Sequence, residues 1–160
     1  MDRLRLMQLT IAVAVTLLTA GHSVLAQTAA PPAPKQELHR AFLTLAIDNI
    51  DKAMCGQGQF CAPATAAERA NPPLTDEQAR GIVSAGVISV TAEHCGLDWQ
   101  RRNFGPLLRH HRETLKLNER QLALVGLLHG ITMGQVGEVV RRSPCSPEQK
   151  AATEQRLIAR

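Results

Sequence analysis

The sequence predicts an all-α protein, a disulfide-stapled antiparallel helix bundle with four main helices plus a short C-terminal helix. Three observations lead to this fold class. Apolar residues recur at three- and four-residue steps along most of the chain after residue 36. Helix-capping patterns precede several of the apolar runs. Four cysteines follow an N-terminal segment that is typical of exported proteins.

The first 26 residues form a predicted signal peptide. Two arginines precede an apolar run over 9–20, and a small residue, Ala26, stands at the expected cleavage point. The segment 27–35 is rich in Ala and Pro and is predicted to be a flexible leader. Residues 36–160 then form a single helical domain in a chain that we expect to be periplasmic or extracellular.

The first helix is predicted over about 36–54, where one apolar stripe faces the core. The stripe contains Leu38, Phe42, Leu45, Ala46, Ile50 and Ala53. The next stretch, 55–73, holds two glycines and three prolines and has no sustained period, so we expect an irregular loop. Cys55 and Cys61 in this loop are close enough in sequence to close a small ring.

The second helix begins at a predicted capping box, Thr75 with Gln78, and ends at Cys95 before a glycine. The third helix follows at once, from Asp98 to about Leu117. We expect Pro106 to kink or split it, because proline lacks an amide hydrogen and crowds the preceding turn.

The fourth helix begins at Asn118, which is predicted to form a capping box with Gln121, and its apolar run extends from Leu122 to Val136. Its apolar run is short for a membrane span and contains a histidine, so it is predicted to pack inside the bundle. Gly126, Gly130 and Gly134 stand in line on it and predict close approach of another backbone. A short fifth helix starts after Ser146.

Four cysteines allow three disulfide pairings, and the direction of the helices favours one of them. The second, third and fourth helices are joined by very short connections, so they should alternate in direction. Cys95 and Cys145 then lie at one end of the bundle, while Cys55 and Cys61 lie at the other. The expected bonds are therefore Cys55–Cys61 and Cys95–Cys145.

Composition and motifs argue against several classes of function. The formal net charge is only +4, and the chain has one Trp, three Phe and no Tyr, so nucleic-acid binding is not expected. No recognised nucleophile, phosphate-loop, dinucleotide or zinc motif occurs in the sequence, and no cofactor is predicted.

Basic side chains on one face of the third helix are the main functional indication. They are Arg101, Arg102, Arg109, Arg112 and Lys116. Such a face favours a non-enzymatic binding or adaptor protein whose partner is an acidic protein or an anionic envelope component. The alternative is an ordinary solvated face, because charged outer faces are the rule for amphipathic helices.

Two further hypotheses remain at this stage. A count along the helices puts His110, His111 and His129 near one level, with Asp48 within reach, which would suit a metal site or an enzyme. The competing interpretation is that these histidines are core residues bonded to carbonyl groups. The other hypothesis is that the bundle core carries a small apolar ligand.

Overall fold

A computed structural model describes residues 35–56 and 58–158 of the chain. The predicted signal peptide, 1–26, and the predicted leader up to residue 34 lie outside the described residues. The described part is helical and contains two disulfides, as the sequence predicts. Its α-helices are α1 (Lys35–Asp48), α2 (Ala66–Ala70), α3 (Asp76–His94), α4 (Gly105–Arg109), α5 (Glu119–Val140) and α6 (Pro147–Ile158).

The third predicted helix is divided, as Pro106 led us to expect. Helix α4 lies between two π-helical segments, Gln100–Phe104 and His110–Thr114, and we call the three together the π–α–π helix. The Gly105 amide donates to the Gln100 carbonyl, which is the wider spacing of a π-helix. Pro106 follows in the first turn of α4, where proline has no amide hydrogen to donate to the preceding turn.

The helix starts follow the predicted caps. Thr75 and Gln78 form a complete capping box at α3, and Asn118 and Gln121 form one at α5. The Ser146 hydroxyl accepts a hydrogen bond from the Gln149 amide at the start of α6. A short helix in the predicted loop, α2, was not foreseen, although Thr65 and Glu68 also form a capping box there.

The prediction for the first helix is wrong in its end and at two positions of its apolar stripe, while the others, Phe42, Ala46, Ile50 and Ala53, are buried or pack against the core. Helix α1 stops at Asp48, because the next residue, Asn49, turns its side-chain amide back to the Leu45 carbonyl. The buried face contains His39, Leu43, Ala46, Ile47 and Ile50. Leu38 and Leu45, which were expected in the core, are exposed. His39 takes the buried place because it bonds Asp76, at 2.8 Å between Nε2 and Oδ1.

The long helices alternate in direction around one core. The side-chain amide of Gln121, near the start of α5, donates to the Pro73 carbonyl, near the start of α3. The Cys95–Cys145 bond joins the same two helices near their other ends, so α3 and α5 run parallel. The π–α–π helix, which lies between α3 and α5 in the chain, runs in the opposite direction. Both disulfides have the predicted partners, with Cα–Cα distances of 4.8 Å for Cys55–Cys61 and 5.3 Å for Cys95–Cys145.

The main core lies between α1, α3 and α5, and a smaller apolar cluster fixes α6. In the smaller cluster, Leu157 of α6 packs against Ile88 and Ala92 of α3. By length and composition, α5 is apolar enough to cross a membrane, with a mean hydropathy of 1.3 over its most apolar window. Core helices of soluble proteins share this property, and α5 packs against both α3 and α1.

The expectation of close packing at the glycines of α5 is wrong. Around an added Cβ at Gly130 or Gly134, no atom of the described structure lies within 4 Å, and both residues are exposed. The close approach to α5 is made instead by Gly86 of α3. A Cβ on Gly86 of α3 would lie 2.7 Å from the Thr132 Cβ and 3.1 Å from the His129 carbonyl oxygen.

A buried polar network joins three helices beside this contact. Asn103 of the π–α–π helix donates from Nδ2 to the Ala85 carbonyl and to the Ser89 hydroxyl, both at 2.8 Å. The Ser89 hydroxyl also lies 2.9 Å from His129 Nε2 of α5. The rings of His129, Trp99 and Phe104 pack against one another. The network therefore fixes the register of the three helices at one level.

We predict opposite effects of alanine at two glycines. Gly86→Ala should lower the free energy of unfolding by about 1–3 kcal/mol, because the added methyl group overlaps the Thr132 side chain. Gly130→Ala should raise it by about 0.5–1 kcal/mol, because the site is open and alanine favours the helix. Urea unfolding of both variants measures the difference, and equal stabilities would contradict the helix packing.

The two disulfides should differ in their contribution to stability. In the chain-entropy model, Cys95–Cys145 closes a loop of 50 residues and should contribute about 4 kcal/mol, while Cys55–Cys61 should contribute about 2 kcal/mol. Replacing each pair by serine and measuring unfolding in urea tests this order. A larger loss from the 55–61 pair would show that strain or contacts, and not chain entropy, govern the effect.

Candidate functional site

The predicted basic face is largely neutralised by carboxylates of the same chain. Arg101 pairs with Asp98 at the start of its own helix, and Arg102 pairs with Glu154 of α6 at 3.1 Å. Arg112 lies more loosely beside Glu119, with 3.9 Å between the nearest atoms. The N-terminal part of the predicted face is therefore unsuited to hold an acidic partner.

Positive charge remains available at the C-terminal end of the π–α–π helix. Arg109 and Lys116 are exposed and form no ion pair with any residue that the structure describes. Lys116 has a φ of 54°, in the left-handed region, and ends the helix. The backbone then turns directly into the cap of α5 at Asn118.

The disulfide ring 55–61 lies next to this basic end and carries two exposed apolar side chains. Phe60 is 69% exposed and Met54 is 51% exposed. The two residues face each other in an antiparallel bridge, which the Cys55–Cys61 bond closes. A Cβ added at Gly56 of the ring would lie 3.5 Å from Glu119 Cγ, so the ring is close to Glu119, which is also the neighbour of Arg112. We call Met54, Phe60, Arg109, Arg112 and Lys116 the ring-end surface.

An ion pair holds the segment after the ring against α5. Arg120 donates to both carboxylate oxygens of Glu68, at 2.6 and 3.0 Å, and to the Ala62 carbonyl oxygen at 2.7 Å. Mainly the Arg120 hydrogen bond, helped by the Thr65 amide, lowers the pKa of Glu68 to about 2. The predicted irregular loop is thus fixed by specific bonds, which the sequence pattern did not reveal.

A groove of about 480 Å³ separates the start of α3 from the π–α–π helix. Its walls are formed by Thr75, Glu77, Gln78, Gly81, Leu107, His110, His111 and Leu115. His111 is buried, and its Nδ1 donates to the Leu107 carbonyl at 2.8 Å. Burial, together with the neighbouring His110, lowers the pKa of His111, so the ring is neutral at pH 7. The sequence analysis did not identify Glu77 and Gly81 as site residues.

The residues of the predicted metal site do not come together. His110 and His111 line the groove, whereas His129 is bonded to Ser89 in the interior, and Asp48 pairs with Arg69 of α2 at 2.9 Å. Within the described residues, no group of three or more His, Cys, Asp or Glu side chains is placed to hold a metal ion. The predicted common level is wrong: His129 lies opposite Ser89 of α3, whereas His110 and His111 lie opposite Gln78 and Gly81, about two turns earlier in the same helix.

No family model, curated protein or solved structure matches this chain.

The Glu68–Arg120 pair should make stability depend on pH in the acid range. The pKa of Glu68 is about 2 in the folded chain and 4.5 in a model peptide, so its contribution is complete above about pH 4.5 and is lost as the pH falls toward 2. Acid unfolding of Glu68→Gln should accordingly be less steep over this interval than that of the parent.

The site pKa can also be measured directly in the folded protein. The NMR titration of the Glu68 carboxyl carbon should give a midpoint near 2, and Arg120→Met should move it up toward 4.5. An unshifted midpoint in the parent would show that the ion pair is not formed in solution.

Proposed function

We propose that the chain is an exported, non-enzymatic binding protein that holds an acidic protein partner against the ring-end surface. The observation that carries this proposal is an exposed apolar pair, Met54 and Phe60, on a disulfide-closed ring near the start of α5, together with exposed positive charge at Arg109 and Lys116 on the helix that precedes α5. A few aromatic and basic residues often supply most of the energy of a protein interface.

Cross-links between the two ends of the ring support this role. The ring is closed by a disulfide, bridged by backbone hydrogen bonds and followed by a segment that Arg120 bonds to α5. A side chain on such a scaffold loses little conformational entropy when a partner covers it. Phe60 is therefore already placed as an anchor, and the neighbouring cations would steer an acidic partner toward it.

The predicted export of the chain also supports the proposal. The predicted signal peptide would send the chain to an oxidising compartment, which is where disulfides such as Cys95–Cys145 form and persist. We expect the partner in the same compartment, among periplasmic, extracellular or envelope proteins. The competing partner is an anionic lipid surface, and binding to anionic vesicles distinguishes it from a protein partner.

Charge reversal at Arg109 and Lys116 tests the electrostatic part. Arg109→Glu with Lys116→Glu should slow association with a partner captured from the cell envelope, and the difference should shrink at high ionic strength. Arg142→Glu with Arg156→Glu is the matched control, because both residues are exposed and the change in net charge is identical. Equal loss in both variants would indicate only a general effect of net charge.

Truncation of Phe60 tests the apolar part of the same surface. Phe60→Ala should weaken binding of the captured protein by about 2 kcal/mol, mainly by faster dissociation. Val139→Ala is the control, because Val139 is 60% exposed and belongs to α5 instead. Binding to anionic vesicles with no captured protein would replace the protein partner by a lipid surface. Unchanged affinity of Phe60→Ala for the captured protein would show that the ring takes no part in binding it.

A further inference from the structure

The groove between α3 and the π–α–π helix has the size of a small-molecule site. Its volume of about 480 Å³ falls within the usual range of about 300–1,000 Å³ for ligand pockets. A second hollow of about 240 Å³ shares Leu107 and His110 with it and continues to Asn103 and Pro106. The helix that forms this wall has π-helical turns on both sides of α4, and such turns are frequent at functional sites.

One wall of the groove presents a hydrogen-bond acceptor from a buried ring. Because His111 Nδ1 donates to the Leu107 carbonyl, the neutral ring keeps its proton on Nδ1 and leaves Nε2 as an acceptor. In the described part of the chain, the buried side-chain atoms without a hydrogen-bond partner are His39 Nδ1 and Asn103 Oδ1. Since His111 Nε2 is not among them and no described residue bonds it, this nitrogen is accessible to solvent, and the side chain that carries it lines the groove.

The opposite wall carries a carboxylate that the fold does not use. Glu77 lines the groove and pairs with no cation among the described residues, whereas its neighbour Asp76 is held by Arg40, Arg80 and His39. Among the described residues, no Lys or Arg side chain lines the groove. A ligand head group between the two walls would therefore have to donate hydrogen bonds and carry positive charge.

Two leucines supply the apolar part of the lining, beside the polar side chains of Thr75, Gln78 and His110. Leu107 and Leu115 contribute to the groove, and Leu115 is 38% exposed. Gly81 adds no side chain, and an added Cβ there meets no described atom within 4 Å, so the groove stays open at this point. A short hydrocarbon chain would cover this apolar surface.

We propose that the groove binds a small amphipathic amine, with its ammonium group between Glu77 and His111 Nε2 and its hydrocarbon part against Leu107 and Leu115. This site is separate from the ring-end surface and does not depend on the proposed function. Loss of one site would leave the other intact.

The experiment titrates the full disulfide-bonded chain with hexylamine, hexanol and hexanoate and follows the His111 ring and Glu77 by NMR. Hexylamine should give saturable shifts at both residues and bind at least about tenfold more tightly than hexanoate, because a hydrogen bond to a charged group gains that much. Hexanol should fall between the two. Equal affinities of hexylamine and hexanoate would overturn the proposal, as would the absence of saturable shifts with hexylamine.

Variants of two glycines distinguish binding of hexylamine in the groove from non-specific binding elsewhere on the protein. Gly81→Leu should fill the groove and weaken hexylamine binding by at least about tenfold while the chain remains folded, because a Cβ at this position meets open space. Gly130→Leu is the matched control, since that glycine is equally open but belongs to α5. Binding that survives Gly81→Leu would place the amine elsewhere and overturn the proposal.

Glu77→Gln separates charge from shape. It should weaken hexylamine binding and leave hexanol binding unchanged, because it removes the carboxylate and keeps the size of the side chain. The same loss for both ligands would show that Glu77 only shapes the groove and would overturn the assignment to an amine.

Discussion

The hydrogen bonds of one buried asparagine determine how the three central helices fit together. Asn103 contacts α3 through the Ala85 carbonyl and the Ser89 hydroxyl, and Ser89 in turn contacts His129 of α5. Because unpaired buried polar groups are costly, these helices cannot slide by a turn without losing several bonds at once. Both the groove and the Gly86 contact depend on this register, since the groove lies between two of these helices and the Gly86 contact includes His129 itself.

Local patterns predicted the parts of the fold that depend on neighbouring residues. The capping boxes at Thr75 and Asn118, the interruption at Pro106 and the pairing of the cysteines are all confirmed. Each follows from hydrogen bonding within one turn or from chain direction over short connections. Such constraints are present in the sequence itself, so they required no knowledge of which helix faces which.

The predictions that failed depend on partners that are distant in sequence. His39 is buried because Asp76 meets it, and Glu154 neutralises Arg102 across 52 residues of chain. The glycines of α5 looked like a packing face, but the helix that approaches closely brings its own glycine, Gly86. Periodicity identifies which residues share a side, and it cannot say whether that side meets a helix, a carboxylate or water.

The bond between Cys95 and Cys145 makes a covalent circle of the π–α–π helix and α5, closed at the end of α3. A protease that cuts one peptide bond inside this circle leaves two pieces that are still one molecule. Helix α1 lies outside the circle and precedes it in the chain, and His39 of α1 bonds Asp76 at the start of α3, which is also outside the circle. In a compartment that contains proteases, both walls of the groove would survive a single cut within the circle, while trimming from the N-terminus would remove α1 first.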